Sequence, residues 1–313
     1  MTAVTAFAPA TVSNVACGFD VLGFALDTPG DEVTARFDGT GVRIEAIEND
    51  GGRLPRDPAK NTASVAAQTL LNRLGERRGV ALTIRKGLPL SSGLGGSAAS
   101  AAAAVVAVDA LIGAKSSFNT LIECALDGER LGAGSSHADN IAPCICGGFV
   151  LVRRASPPDV VQLPVPAGLT AVVIHPQLEI ETAAARALLG DTVRLADAVK
   201  QWANLGALVH ALHTGDFALM SRALEDTIAE PRRAPLVPGL AAIKQAAAGA
   251  GALGSSLSGS GPSLFALCAD APTAGRVAEA MAAAVRREIG GEPEVYVSAV
   301  IPRGARIVSP CAS

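Results

Sequence analysis

Apolar and polar residues alternate over Thr2 to Phe7, Glu32 to Phe37 and Val42 to Ile47, the period of half-buried strands. Ala8-Pro9-Ala10-Thr11 closes the first run, and Asp38-Gly39-Thr40-Gly41 reads as a hairpin turn joining the other two. Asn61 stands where it can cap a helix from about Thr62 to Leu74, with Val65, Leu70, Leu71 and Leu74 as its larger apolar positions. Val80 to Arg85 follows as a strand. It feeds a loop from Lys86 to Ser100, which passes into an alanine-rich helix over Ser97 to Leu111.

Further on, the pattern predicts a helix over Phe118 to Leu126 and a strand over Phe149 to Val152, broken by Ala155-Ser156-Pro157-Pro158-Asp159. A strand at Leu169 to His175 precedes helices at Glu181 to Leu189, Ala196 to Leu212, Phe217 to Thr227 and Leu240 to Ala248. The last quarter reads as strand Ser263 to Cys268, helix Thr273 to Ile289 and strand Glu294 to Val300. Such interleaving makes an α+β or α/β chain with a covered sheet. The proline-rich break is the expected crossover between units 1–155 and 156–313.

Composition narrows the class. A length of 313 residues suggests two domains, and 49% apolar against 18% charged residues is ample for a core. The net charge is −3, no basic run tracks a phosphodiester backbone, and aromatics are only 3%, so nucleic acid is not an expected partner. No basic segment precedes an apolar stretch near Met1, and the uncharged run from Ala98 to Val108 is too short to span a bilayer. The expectation is a cytoplasmic protein with no membrane partner. The six cysteines read as free thiols, and the Cys144-x-Cys146 pair lacks the second pair of a zinc site.

Three stretches are rich in glycine and serine: Lys86 to Ser100, Gly132 to Ser136 and Gly254 to Pro262. One such stretch is ordinarily a turn. Three of them, one running into a helix N-terminus, suggest backbone N–H groups gathered around an anion. No G-x-x-x-x-G-K-[ST] occurs, which excludes a P-loop. Gly93, Gly95 and Ala98 satisfy the dinucleotide fingerprint, but Gly113 to Thr120 holds none of the carboxylates that reading requires.

The run Leu88 to Ser100, LPLSSGLGGSAAS, resembles the central motif of the GHMP kinases, with Gly96 where that family usually carries serine. Pro9-Ala10-Thr11 with Asn14 and Gly18 to Gly23 resembles the family's first motif, and Ser258 to Pro262 its third. His137 to Pro143 with Gly147-Gly148-Phe149, and Glu230-Pro231 with Arg233, are similar to segments of the homoserine kinase family within it. Cys17 departs from that family's proline or valine.

The resemblance implies an α+β, two-domain GHMP kinase fold, with a ribosomal-protein-S5-like N-terminal domain and a ferredoxin-like C-terminal domain. It implies transfer of the γ-phosphate of ATP to the side-chain hydroxyl of L-homoserine with Mg2+, a step of threonine biosynthesis, by a homodimer. The alternatives are another small-molecule kinase of the superfamily and a catalytically silent ligand-binding regulator.

By the same resemblance the nucleotide is held by Pro89, Leu90, Ser91, Ser92, Gly93, Leu94, Gly95, Gly96, Ser97, Ala98 and Ala99, with Ser258, Gly259 and Ser260. Ser97 caps the helix and joins Glu129, expected just beyond its helix, as a metal ligand. Arg186 and Arg233 clamp the substrate carboxylate, Asp20 pairs with its ammonium, and Asn14, His137, Asn140 and Thr182 complete the shell. Asp139 is the local candidate base. The preferred version has Asn140 orienting the hydroxyl without a strong base, with Arg186 assisting the transfer. His175 reads as a strand end, and His210 and His213 as surface or packing residues.

Overall fold

A computed structural model describes residues 3–133 and 136–310; Gly134 and Ser135 of the second glycine stretch, and Cys311, lie outside them. Along the chain come β1 (Val4–Ser13), β2 (Leu22–Phe37), β3 (Val42–Glu48), α1 (Thr62–Leu74), β4 (Val80–Arg85), α2 (Gly96–Ile112), α3 (Phe118–Ala133), α4 (Ala138–Cys146), β5 (Phe149–Arg154) and β6 (Asp159–Leu163). After them come β7 (Thr170–His175), α5 (Thr182–Ala187), α6 (Leu195–Thr214), α7 (Phe217–Ala223), α8 (Ala229–Arg233), α9 (Leu240–Gly249), β8 (Gly254–Leu257), β9 (Leu264–Cys268), α10 (Ala271–Glu288), β10 (Glu294–Ala299) and β11 (Arg306–Pro310).

Seven strands form the first sheet in the order β11-β1-β2-β4-β3, with β5 pairing the start of β2 and β6 pairing β5. The second sheet is antiparallel, β10-β7-β9-β8. Its strands alternate between two cores. Ala171, Val173, Phe265 and Leu267 face the first sheet's core, while Val172, Ile174, Leu264 and Ala266 face α9 and α10. Phe24 of β2 joins the two sheets, 4.8 Å from Phe149 and 5.9 Å edge-on from Phe265. The α+β expectation holds.

At the centre of the first core lies α2. Every residue from Ala98 to Val105 is buried, and side chains this small let β1, β2, α1 and α3 approach its backbone closely. Around it, α1 starts where Asn61 Oδ1 accepts the N–H groups of Ala63 (3.0 Å) and Ser64 (3.4 Å), and ends at Gly75 in the left-handed region.

Long-range pairing changes several local readings. The Asp38 to Gly41 turn does not make a hairpin: β4 inserts between β2 and β3, pairing β2 antiparallel and β3 parallel. β1 runs on through Pro9, where the β1/β2 register shifts. β11 covers only Val4 to Phe7, so no ladder partner needs an N–H from Pro9 on that side. α3 continues seven residues past Leu126, which puts Glu129 inside the helix. Gly128 is the reason it is not a stop: a Cβ there would lie 2.4 Å from the Thr62 carbonyl, so this glycine is a helix contact. α4, unforeseen as a helix, carries Pro143 in its interior. The expected break at 155–158 is the turn of the β5–β6 hairpin, so the first sheet keeps the chain to Leu163, and β11 returns to it.

Candidate active site

Three loops converge at the N-terminus of α2. Gly95 adopts φ 68° and is the N-cap, so the helix begins at Gly96 and Ser97, itself exposed, lies inside the first turn instead of capping it. A Cβ at Gly95 would lie 2.2 Å from Thr11 Oγ1, and one at Gly93 (φ 77°) would lie 2.5 Å from the Ser258 carbonyl. Backbone contacts hold the set together. Thr11 N–H donates to the Leu94 carbonyl at 3.1 Å, Ser263 N–H to Ser92 O at 3.3 Å, and Ser258 Oγ to Gly93 O at 2.7 Å.

These loops line one cavity of about 900 Å³, within the range that takes a cofactor-sized ligand. Pro89 to Gly93 and Gly95 to Ser97 form part of its wall, with Gly259 and Ser260. Asn14, Asp20, His137, Asp139, Asn140, Thr182, Arg186 and Arg233 complete it, with Glu129. Leu94, Ala98, Ala99 and Ser258 are not in that wall; all four are fully buried and support the loop from behind. Cys17 is likewise buried outside it, its thiol pushed up to about 12 by burial.

Asn14 is the hub of the first loop. Its N–H donates to Asp139 Oδ2 (3.1 Å), its Nδ2 to the Gly259 carbonyl (2.8 Å), and its Oδ1 accepts the Asp20 N–H (3.0 Å). Asn140 at the start of α4 accepts from Thr11 Oγ1 at 2.8 Å, which aims its amide oxygen away and leaves Nδ2 as the donor. Asp20 and Arg186 pair with each other in a fork, at 2.8 and 2.7 Å, with a third or more of each side chain exposed. Arg233 is buried. Among the described residues its Nε and Nη1 donate to the carbonyls of Ala185 (3.4 Å) and Gly259 (3.0 Å). Both guanidiniums lie over the ring of Phe19, at 5.2 and 5.3 Å.

Burial and charge set the protonation states. Burial, and then the Asp20 charge, push the Asp139 carboxyl up to about 6, while His137 and the Asn14 N–H pull it down. Hydrogen bonding to Glu129, 3.5 Å away, raises His137, against the cost of burying its charge. Burial, and repulsion by Arg186, lower Arg233, opposed by the Asp20 charge. Two buried atoms of the wall, Ser92 Oγ and Glu129 Oε1, have no hydrogen-bond partner among the described residues.

Sequence reasoning places Asn61 and Lys86 beside the nucleotide region without a contact for either, and misses Arg53, Lys60, Thr62 and Ser100. Arg53, Lys60, Asn61, Thr62, Lys86 and Ser100 all line the cavity, and Arg53 makes a forked pair with Glu179 at 2.7 and 3.0 Å. The signal available for Arg53 and Lys60 was the polar run RLPRDPAKN that leads into α1. Four residues behave as expected for packing. His175 ends β7 with its Nδ1 3.1 Å from Ser263 Oγ, His213 meets the Val209 carbonyl at 2.9 Å on α6, and Cys144 and Cys146 are free thiols in α4.

Residues 61–148 match the model of the GHMP kinases N-terminal domain, and residues 208–287 that of the GHMP kinases C-terminal domain. A homoserine kinase of Chlorobium phaeovibrioides is 46% identical, the alignment covering 98% of this chain and 100% of the relative. One from Xanthomonas campestris is 42% identical over 97% and 94%. The crystal structure of homoserine kinase from Cytophaga hutchinsonii superimposes with a TM-score of 0.95, at 48% identity over 98% of both chains. A chain matched in both domains, and along its whole length at these identities, belongs to the GHMP kinases, within their homoserine kinase family.

Proposed function

We propose that the cleft transfers the γ-phosphate of ATP to the side-chain hydroxyl of L-homoserine, giving O-phospho-L-homoserine and ADP. One observation carries the substrate reading. Arg233, a buried guanidinium bonded among the described residues to two carbonyls and no carboxylate, stands beside the Asp20–Arg186 pair in the same cavity as the glycine loop. A zwitterionic acceptor satisfies this set: its carboxylate replaces that of Asp20 on Arg186 and meets Arg233, and its ammonium replaces Arg186 on Asp20. Breaking a pair this exposed costs only about 0–1 kcal/mol. The exchange is therefore affordable.

The loop from Pro89 to Ser97 cradles the triphosphate with backbone N–H groups, the α2 N-terminus and Ser92 Oγ. Asn140 Nδ2 holds the acceptor hydroxyl in line. Asp139 does not serve as the base: it is buried and already accepts the Asn14 N–H. Rate then comes from positioning and from charge stabilisation around the moving phosphoryl group.

Magnesium fits the residues present. Glu129 Oε1 is buried with no hydrogen-bond partner among the described residues and Ser97 offers a hydroxyl on the same wall, the one or two protein oxygens that this ion takes. When bound, it neutralises charge on the phosphate oxygens. Family resemblance also supports a homodimer working in the cytoplasm. No helix among the described residues is long and apolar enough to cross a membrane.

A coupled assay of ADP formation across a panel of small alcohols tests the substrate. Turnover should be greatest with L-homoserine and fall steeply for 3-aminopropan-1-ol, which lacks the carboxylate. Preference for another alcohol would reassign the substrate, and no ADP with any of them would leave a silent ligand-binding protein.

A further inference from the structure

We infer that Asp31, Lys86 and Ser100 form a positioning unit that anchors both ends of the phosphate loop, and that Lys86 supports the loop instead of binding phosphate. The inference rests on the nucleotide reading of the cavity. A lysine lining a cavity beside a glycine loop would ordinarily be taken for a phosphate ligand.

Here the ammonium is fully committed. Its three protons go to Asp31 Oδ2, to the Gly96 carbonyl (2.8 Å) and to Ser100 Oγ (2.9 Å). An ammonium has three donors and no more. The carboxylate is committed as well: Oδ1 accepts the Gly87 N–H (3.0 Å) and Oδ2 accepts Ser100 Oγ (2.7 Å).

The unit joins three elements. Asp31 belongs to β2, Lys86 follows β4, and Ser100 lies in the second turn of α2. Gly87 opens the loop and Gly96 closes it, so both ends hang from one carboxylate–ammonium pair. The side chains of Lys86 and Asp31 are 3% and 0% exposed. A buried pair adds little net stability over apolar packing, but one whose polar atoms are all bonded fixes a single geometry. Ser97 is the next residue after Gly96. Any shift of that anchor would therefore move the hydroxyl proposed for the metal.

Steady-state kinetics with separate KM values for ATP and homoserine, and calorimetric binding of ADP, test the assignment on Ser100→Ala, Asp31→Asn, Lys86→Met and the Asp31→Asn/Lys86→Met double variant. Ser100→Ala keeps the ion pair and guards against loss of fold, which thermal melting monitors. Each single change should raise the KM for ATP and the Kd for ADP roughly tenfold. The KM for homoserine should stay within about twofold, and the double variant should be no worse than its worse parent, because the three groups act as one.

Raised ATP KM in Lys86→Met alone would make Lys86 a direct ligand and overturn the assignment. So would losses of melting temperature in Ser100→Ala and Asp31→Asn with ATP and ADP constants at parental values. An unaltered protein that binds no ADP would overturn this inference together with the nucleotide reading; parental ADP binding that all the variants share would overturn the positioning unit alone.

Discussion

Asp139 is 2% exposed at the start of α4, and its carboxyl is raised from the ordinary 3.8 to about 6 by burial and by Asp20. The folded protein therefore holds this proton more tightly than the unfolded chain. Between about pH 4 and 6 stability falls as pH rises, by an amount that can reach a few kcal/mol. Asp139→Asn removes that penalty while its amide oxygen can still accept the Asn14 N–H. Thermal melts should show the variant gaining on the parent from pH 4.5 to pH 7.5. It should also keep substantial turnover at pH 7.5, since in the proposed mechanism Asn140 and not Asp139 handles the hydroxyl; near-complete loss of kcat with unchanged homoserine binding would make Asp139 the base. The sequence supplied Asp139 and Asn140 as neighbours in one motif. The resemblance supplied their proposed division of labour, but not the bonds from Thr11 and Asn14, which reach them from another strand and loop.

At the scale of elements, the N-terminus of α2 depends on a glycine that has two reasons to be one. Gly95→Ala faces both a left-handed φ and a 2.2 Å approach to Thr11 Oγ1, whereas Gly113→Ala at the other end of α2 faces the same φ (73°) with nothing within 4 Å. Gly113→Ala should cost about 1 kcal/mol and leave the KM for ATP at the parental value. Gly95→Ala should cost more, about 1–3 kcal/mol, and should weaken ATP binding as well; melting curves and ATP saturation on both variants check the contrast. Elements whose signals are local were legible: α1, capped by Asn61 and stopped by Gly75, and β4 begin and end where the pattern places them. Elements decided by distant packing were not. Gly128 resembles a helix end until Thr62 of α1 is seen against it, Pro143 conceals α4, and the turn at Asp38 to Gly41 gives no hint that β4 enters between its two strands.

Across the whole molecule, the cleft is closed by charges that are far apart in the chain. Asp20 meets Arg186 across 166 positions, and Arg53 meets Glu179 across 126, joining loops of the first sheet to the segment after β7. Nothing local to those residues reveals their partners, so the motifs named the substrate-end groups without showing that two of them are bonded to each other before substrate enters. The same separation explains why Arg53 and Lys60 went unread: their polar segment acquires a site only when the chain folds it over the glycine loop. All the charged groups proposed for the acceptor then share one wall with the phosphate cradle, which is the arrangement that direct transfer requires. Phosphorus NMR of the protein with ATP, magnesium and L-homoserine measures that transfer most directly. A new phosphomonoester resonance coupled to the side-chain methylene protons of homoserine should appear and grow in equal amount with ADP. Release of inorganic phosphate alone, or a phosphate carried anywhere but that hydroxyl, would contradict the proposed transfer.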